Sequence, residues 1–415
     1  MNKFYTLLLL SGAVLSVNAQ QINGSFDAEW GKCVPWTSKG NTNAVGTTPK
    51  GWAISNVYIS KGITATVGSE IEGNNGGKAV KLTNINAAGQ AVPAYIALGT
   101  PWATAEVKNF MPTNADGGTW GGKKFTYHPD ALSFDYKRDN SNGAENATVV
   151  AYLWNGTWTQ KDVPGNTSIV GAATKVDMVD RDRNVLGMEK TNAVLGGDVT
   201  STEGATCVAK INYAITGNTK KPLAEGEKDK NEYEWVSDTI DFDYGDNVDA
   251  KVEKINVIFS ATNYFGDRKH IVKNNSLSID NVKLIYWHAL SELTFDGKAV
   301  EGFDAEKTEY TVKGNLADDN SKIAYKVKGK GAKASTSLDL ENNVLKITVE
   351  GNDISVNADS KTVYTIHFDN TTVGIGSISA NEAKSHKVYT LGGVRVNGKP
   401  AAGMYIVDGK KTIVK

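Results

Sequence analysis

Apolar and polar residues alternate with a period of two along much of the chain, which is the pattern of half-buried β-strands. The stretch NNSLSIDNVKLIY, residues 274 to 286, carries apolar residues two apart on either side of a polar step, Asp280-Asn281. The change of phase at that step predicts a strand with a β-bulge. We expect it to be the last strand of a β-sandwich, paired with the first strand in NGSFDAEW, residues 23 to 30.

Three more stretches predict sheet strands with two distinct faces. ALSFDYKRD, from Ala131, places Leu132, Phe134 and Tyr136 on one face and Ser133, Asp135 and Lys137 on the other. TVVAYLWNGTW places Tyr152 and Trp154 on a common face, with Trp158 just past an Asn-Gly turn. KINVIFSATN alternates in the same way. Each strand therefore has a core face and a face that meets solvent or a ligand.

The spacing of strands changes after Tyr286. Residues 289 to 370 carry their own alternating runs and an Asp296-Gly297 hairpin signal, which predicts a small immunoglobulin-like sandwich. Residues 371 to 382 are small, polar and glycine-rich, as in a linker. Residues 383 to 415 predict short strands around an Asp408-Gly409 turn. Judged by the residues alone, this segment can be a β-meander that is too small to fold by itself.

Composition agrees with an all-β fold. The 415 residues include 42 Gly, 16 Tyr and 9 Trp, and few stretches have helical periodicity. At this length two or three domains are expected. The net charge is -1, from 45 basic and 46 acidic residues, so charge gives no sign of a nucleic-acid partner or an anionic membrane surface.

The N-terminus predicts export. Lys3, an apolar run from Leu7 to Val17, and small residues ending at Ala19 have the layout of a cleavable signal peptide, residues 1 to 19. The apolar run is too short to serve as a membrane-spanning stop-transfer helix. We therefore expect a secreted protein of the periplasm or outer cell surface, with no transmembrane segment after cleavage.

Two cysteines, Cys33 and Cys207, both fall in the first predicted domain. In an oxidising compartment they can form one disulfide that closes a long loop. Two unpaired thiols are the alternative, and the sequence leaves both open. Their spacing rules out a zinc cluster built from cysteines alone.

Five segments in order, NGSFDAEW, PKGWAISN, GGKAVKLTN, KKFTYHPDALSFDYKR and SLSIDNVKLIY, resemble the putative carbohydrate metabolism domain family of secreted bacterial proteins. The resemblance covers roughly residues 21 to 288 and implies a jelly roll of carbohydrate-binding type, which we assign to residues 20 to 288. His128 stands where the family is expected to have Arg. Such jelly rolls often hold a structural Ca²⁺ between an N-terminal carboxylate and an acid of the last strand, positions that Asp27 and Asp280 match. The alternative is that Asp280 bonds backbone at the bulge and Asp27 caps a turn.

The later segments resemble two other modules. Residues 289 to 370 are similar to the cadherin-like sandwiches of secreted bacterial proteins. VYTLGG, GMYIV and a terminal Lys resemble the sorting domain of the type IX secretion system, which implies that the secretion machinery binds residues 383 to 415.

Two segments match the spacing of known ligand-binding loops but lack some of the residues that those loops require. GGTWGGKK, residues 117 to 124, has phosphate-loop spacing, but Lys124 replaces the metal-binding hydroxyl and a strand follows, so we interpret it as a surface turn. DRDRN has Asp180, Asp182 and Asn184 at calcium-loop spacing, but it lacks the expected Gly and terminal acid. We interpret it as a solvated charge cluster.

Sugar binding needs aromatic faces beside polar groups that bond hydroxyls. The candidates are Asp135, Lys137, Tyr152, Trp154 and Trp158, on what we take to be neighbouring strands. No Gly-x-Ser-x-Gly or HExxH motif is present, and sequence alone names no glycosidase carboxylate pair. The favoured function is therefore non-catalytic binding of a poly- or oligosaccharide. The alternatives are a glycoside-acting enzyme with two acids in the concave face, and a structural or adhesive surface protein.

Overall fold

The computed structural model describes residues 22–37, 40–60, 63–87, 89–108, 111–160, 169–170, 180–187, 201–202, 204–223, 225, 228, 231–266, 270–370 and 387–414. Their fold is all-β, as predicted. The strands up to residue 156 are β1 (Trp30–Lys32), β2 (Thr47–Pro49), β3 (Ala53–Ile54), β4 (Val57–Ser60), β5 (Ile63–Ala65), β6 (Gly68–Glu72), β7 (Lys78–Thr83), β8 (Ile85–Ala87), β9 (Gln90–Val92), β10 (Tyr95–Ala97), β11 (Thr100–Lys108), β12 (Met111–Trp120), β13 (Lys123–Lys124), β14 (Ala131–Asp139) and β15 (Ala147–Gly156).

The first domain continues with β16 (Thr159–Gln160), β17 (Ile169–Val170), α1 (Asp182–Val185), β18 (Ser201–Thr202), β19 (Ala205–Ile215), β20 (Val236–Asp241), β21 (Lys254–Ser260) and β22 (Ser276–Ile285). Two sheets form a jelly-roll sandwich: a six-stranded sheet in the order β19-β15-β21-β10-β3, with β13 beside β21, and a five-stranded sheet in the order β20-β14-β22-β7-β6. Phe134 of one sheet packs edge-on against Phe259 of the other, with ring centroids 5.2 Å apart. The inward residues of both sheets make one apolar core.

The segment 274–286 forms the bulged strand that its pattern predicts. Pairing with β14 changes register between Ser133 and Asp135, and Asn281 has a positive φ of 51°. The expected pairing with NGSFDAEW is wrong, because β22 lies between β14 and β7 in the middle of the sheet. The N-terminal segment makes a backbone contact there instead: Val282 donates its N–H to the Gly24 carbonyl at 2.9 Å. A β-carbon at Gly24 would lie 1.7 Å from the Val282 oxygen, so this approach requires glycine.

The second domain is a separate sandwich. Its elements are β23 (Leu290–Phe295), β24 (Lys298–Ala299), β25 (Glu309–Lys313), α2 (Leu316–Asp319), a 3₁₀ turn (Asn320–Lys322), β26 (Ile323–Val327), β27 (Lys333–Asp339), β28 (Val344–Glu350) and β29 (Lys361–Asp369). They form sheets in the orders β24-β23-β26 and β25-β29-β28-β27 around a core of their own. Asp296 and Gly297 both have positive φ, as the predicted hairpin turn requires.

Asp130 joins the two sandwiches. One carboxylate oxygen accepts the backbone N–H of Trp287 at 2.7 Å, and the other accepts that of Lys330 at 2.6 Å. Burial raises the pKa of Asp130, although both bonds favour its charged form. His128 also lies at this junction, where its backbone N–H donates to the side-chain oxygen of Asn352 at 2.7 Å.

The last described segment is a four-stranded sheet of β30 (Val388–Thr390), β31 (Arg395–Val396), β32 (Gly403–Val407) and β33 (Lys410–Val414), in the order β31-β30-β32-β33. Asp408 and Gly409 form the expected turn, both with positive φ. The predicted signal peptide and linker lie outside the described residues. Within the described part of the chain, no helix is long and apolar enough to cross a membrane.

Both cysteines are free thiols, so the disulfide alternative is wrong. Cys33 is buried near the start of the first domain, and its thiol lies 3.7 Å from the Ile54 carbonyl oxygen. Cys207 lies on β19, and its thiol is 3.7 Å from the Ala209 carbonyl oxygen. Burial raises the pKa of both thiols, to about 11 for Cys207, and so keeps them protonated and unreactive at neutral pH.

Candidate functional site

The outer face of the five-stranded sheet carries two of the predicted site residues, Asp135 and Lys137. They alternate along β14 with Leu132 and Phe134, which are buried in the core. The predicted division of this strand into an apolar and a polar face is therefore confirmed. Asp135 and Lys137 are both partly exposed, so their outward face is open to a ligand.

A row of side chains crosses this face at the level of Lys137. Lys137 pairs with Ser278 of β22, Ser278 pairs with Lys81 of β7, and Lys81 pairs with Ser69 of β6. Trp235 directly precedes β20 and lies beside Lys137, on the side of β14 opposite to Ser278. We call these five residues, Trp235, Lys137, Ser278, Lys81 and Ser69, the lysine row. Adjacent strands are about 4.8 Å apart, so the backbones of the two lysines lie roughly 10 Å apart.

The Lys137 ammonium lies 4.6 Å from the centroid of the Trp235 ring, a cation–π contact. Burial lowers the pKa of Lys137, Lys221 lowers it further, and Glu72 opposes both. Trp235 is partly exposed. The sequence analysis did not select Trp235, although it begins the WVSDTIDF strand pattern. Its position just outside a strand gave no sign of the face it would join.

Tyr233 and Asp139 border the lysine row. Asp139 accepts bonds from the Ser141 N–H at 3.0 Å and the Ser141 hydroxyl at 2.6 Å. Burial raises the pKa of Tyr233, and a bond to Asp139 raises it further. Although burial opposes ionisation of Asp139, the bonds from Ser141 and Tyr233 lower its pKa, with help from Lys81. Asp139 is thus charged and already hydrogen-bonded.

The neighbouring row holds an acidic cluster, in which Asp135 pairs with Asp280 across β14 and β22. Two asparagines bridge these carboxylates. Asn74 donates its backbone N–H to Asp280 at 2.7 Å and its amide to Asp135 at 2.9 Å. Asn281 does the same at 2.7 and 2.8 Å. Ser237 adds a hydroxyl bond to Asp135 at 2.5 Å.

Asp27 lies near the same cluster, at the end of the loop that joins β6 and β7. It accepts the Lys78 N–H at 2.8 Å, and Gly77, with φ of 74°, leaves room for it. Burial, together with the charges of Asp27 and Asp135, raises the pKa of Asp280 to about 6, against the two backbone hydrogen bonds that lower it. The two aspartates named for calcium thus lie near one another.

The donor set fits a metal ion poorly. Both oxygens of Asp280 already accept backbone N–H groups, and Asp27 accepts one through the oxygen that faces the loop. In the part of the chain that the structure describes, no group of three or more His, Cys, Asp or Glu residues is arranged to hold a metal ion. Calcium at Asp27 and Asp280 stays a prediction.

The aromatic half of the predicted site lies elsewhere. Tyr152 and Trp154 are fully buried on β15, which belongs to the six-stranded sheet, whereas Asp135 and Lys137 belong to the other sheet. Tyr152 and Trp154 do share a face, as predicted, and Trp158 packs against them. We correct the expectation of one common binding face: β14 and β15 are consecutive in sequence but cross from one sheet to the other.

A polar cluster covers part of this outer face of the six-stranded sheet. Asp180, Arg181, Asp182 and Asn184 are all buried, so the interpretation as solvated charges is wrong. Asp180 pairs with Lys254 at 2.6 Å. Asp182 accepts the Tyr264 hydroxyl at 2.5 Å and the Thr119 N–H at 3.2 Å. These bonds hold segment 180–187 onto the sheet and enclose the aromatic residues below it.

GGTWGGKK forms the end of β12, a turn and β13. Gly121 and Gly122 have positive φ, as the turn requires. Lys123 lies in a strand, and burial lowers its pKa. The interpretation as a turn followed by a strand agrees with this geometry.

No family model matches the chain, and no curated protein matches it significantly. Two similar solved structures are a putative glycoside hydrolase of Bacteroides thetaiotaomicron VPI-5482 and the K1 cleaved adhesin domain of Lys-gingipain from Porphyromonas gingivalis W83. The first is 15% identical over 65% of this chain and 69% of that chain, with a TM-score of 0.27. The second is 12% identical over 57% of this chain and 91% of that chain, with a TM-score of 0.23. At TM-scores this low, neither likeness establishes a shared site or activity.

Proposed function

We propose that the chain is a non-catalytic glycan-binding protein and that its ligand lies on the outer face of the five-stranded sheet. One observation carries the proposal: Trp235, a partly exposed indole, stands beside the ammonium group of Lys137 on a polar sheet surface. Aromatic faces bind the apolar side of a pyranose, while charged and hydroxyl groups bond its hydroxyls. Lys137 beside the indole and the exposed Lys81 two strands away supply such groups.

A glycan array with the full exported chain tests this proposal. Wild-type protein is expected to bind at least one glycan class, and Trp235→Ala is expected to weaken that binding about tenfold or more, the scale of a lost stacking residue. Trp36→Ala is the matched control, because Trp36 packs on Trp120, away from this sheet. Failure of the wild type to bind any glycan contradicts the proposal, as does equal loss in the two variants.

A second candidate function is glycoside hydrolysis by the acidic cluster. It is favoured by Asp280, whose pKa is raised to about 6 beside Asp135, since glycosidases use a carboxylic acid of raised pKa near a second carboxyl group. Against it, Asp280 is only 2% exposed and both of its oxygens accept backbone N–H groups. Release of reducing sugar from a glycan that binds, lost in Asp280→Asn, would favour the enzyme.

We extend the proposal to location. The predicted signal peptide and the small C-terminal sheet support export, with residues 383–415 bound by secretion machinery. A truncated chain that lacks them is expected to remain folded but to stay in the periplasm of the native host. Fractionation of both forms tests this, and equal surface exposure of the two contradicts a sorting role.

A further inference from the structure

We infer that the lysine row binds an acidic sugar, with a carboxylate or sulfate of the glycan between Lys137 and Lys81 and a ring against Trp235. This inference rests on the proposed glycan-binding function and names its ligand class. Neither lysine of the row has an ion pair among the described residues, the two lie on one face of the sheet, and Asp135 and Asp139 are hydrogen-bonded to other groups.

Lys137 carries a positive charge that lacks a close counter-ion. Among the described residues, its Nζ makes no hydrogen bond and has no carboxylate oxygen within 4 Å; its close contact is the Trp235 ring. Burial already disfavours its charged form, and Lys221 adds a like charge. Partly buried charges in proteins are normally paired, because desolvation of an unpaired ion is costly. A ligand anion would supply the missing partner.

Lys81 lies in the same row, across Ser278. It too forms no ion pair within the described chain, and its side chain is exposed. By contrast, Lys78 pairs with Glu70 at 3.1 Å and Lys221 with Glu232 at 3.3 Å. Lys137 and Lys81 therefore differ from Lys78 and Lys221 in having no carboxylate oxygen within 4 Å among the described residues.

Glu72 and Asp139 act through their charge on Lys137 and Lys81 respectively, but neither carboxylate forms an ion pair with these lysines within 4 Å. Asp135 is bonded by Asn74, Asn281 and Ser237, and Asp139 is bonded by Ser141. Their acceptor oxygens are directed to these donors. The backbones of Lys137 and Lys81 lie roughly 10 Å apart and their side chains are long and flexible. Both ammonium groups can therefore reach one anionic group when Lys137 turns from the Trp235 ring toward Ser278, which also uncovers that face of the indole. The indole beside Lys137 then receives the sugar ring.

The test compares one oligosaccharide with and without its charge. Tetragalacturonate and its fully methyl-esterified form are titrated calorimetrically into the full exported chain, and a chondroitin sulfate tetrasaccharide forms a third arm for the sulfate source. Wild-type protein is expected to bind at least one acidic probe about tenfold or more tightly than the neutral ester, with affinity falling as salt rises. Lys137→Gln is expected to remove most of that difference, and Lys137→Arg to keep it.

Lys283→Gln is the matched control, because Lys283 is an exposed lysine of the same sheet, beyond the bulge, and its loss changes the net charge equally. Thermal unfolding of each variant confirms that it is folded. Equal binding of neutral and acidic probes overturns the acidic-sugar inference but leaves glycan binding standing. Binding of neutral glycans alone on the array also overturns the acidic-sugar inference and leaves glycan binding standing. If no glycan binds, both the inference and the proposed glycan-binding function are overturned. An acidic preference that survives Lys137→Gln also overturns the inference.

Discussion

The Lys137 ammonium lies 4.6 Å above the ring of Trp235, although 98 positions separate the two residues in the sequence (235 minus 137). Pairing of β14 with β20 brings them together on the outer face of the sheet. The contact places a partly desolvated cation against a partly exposed aromatic ring. The same two residues therefore make one contact within the fold and form the centre of the proposed binding face.

Replacement of Lys137 by Met is expected to separate these two properties. The methionine keeps the apolar stem over Trp235 and removes the ammonium, whose burial is unfavourable. We expect the free energy of unfolding to stay the same or rise by about 0.5 kcal/mol, while affinity for acidic glycan falls. Urea denaturation and calorimetric titration measure the two effects. A loss of stability above about 1 kcal/mol would show that the cation is needed for folding.

Asp280 is expected to titrate with a midpoint near pH 6 in the folded protein. Its pKa is raised above the ordinary value of 3.8, so the folded state binds its proton more tightly than the unfolded state. The stability that this group contributes is therefore greatest at low pH and is lost as pH rises from about 4 to 6. Asp27→Asn removes a nearby like charge and is expected to lower the midpoint. Carboxyl-carbon NMR follows both proteins, and an unchanged midpoint in the variant would rule out coupling to Asp27.

Calcium binding at Asp27 and Asp280 has a direct test in thermal unfolding. If the ion binds the folded state alone, 1 mM calcium chloride raises the melting temperature and a chelator reverses the effect. The rise is expected to disappear in Asp27→Asn and to persist in Asp318→Asn, an exposed acid of the second sandwich. An equal response of wild type and Asp27→Asn would place any bound calcium elsewhere.

Asp130→Ala is expected to uncouple the two sandwiches. It removes the acceptor of two backbone N–H groups, those of Trp287 and Lys330, which lie at the junction. Each lost bond to a charged acceptor is worth about 1.5–3 kcal/mol, less where water enters. We expect calorimetry to show two separate transitions in the variant and a more cooperative one in the wild type. Asp241→Ala, at an exposed position on the neighbouring strand, serves as control.

Residues 289–370 are expected to unfold cooperatively as an isolated fragment. They enclose a core of their own, which includes Leu293, Ile347 and Tyr364. The fragment lacks the Asp130 acceptor, so its melting temperature should be lower than that of the same unit in the full chain. Absence of a cooperative transition in the fragment would show that the first sandwich is required for its folding.

Local sequence determined the strands, their turns and one irregularity. The alternation around Ser133 to Lys137 gave the correct inward and outward residues, because successive side chains of a strand point to opposite faces. The polar Asp280-Asn281 step gave the bulge, since Asn tolerates the positive φ that a bulge requires. Asp-Gly pairs gave the two hairpin turns for the same reason. These features depend on neighbouring residues alone.

Only the tertiary structure decided which faces meet and which are covered. Alternation divides β15 into two faces but does not say that segment 180–187 encloses the one with Tyr152 and Trp154. It likewise does not say that Trp235 reaches Lys137. Sheet order and coverage arise from pairing between residues distant in sequence, and a one-residue shift of register would reverse every face. The sequence by itself thus determined the alternation of β14, which places Asp135 and Lys137 on its outward face. Long-range packing determined that the aromatic partner of Lys137 is Trp235.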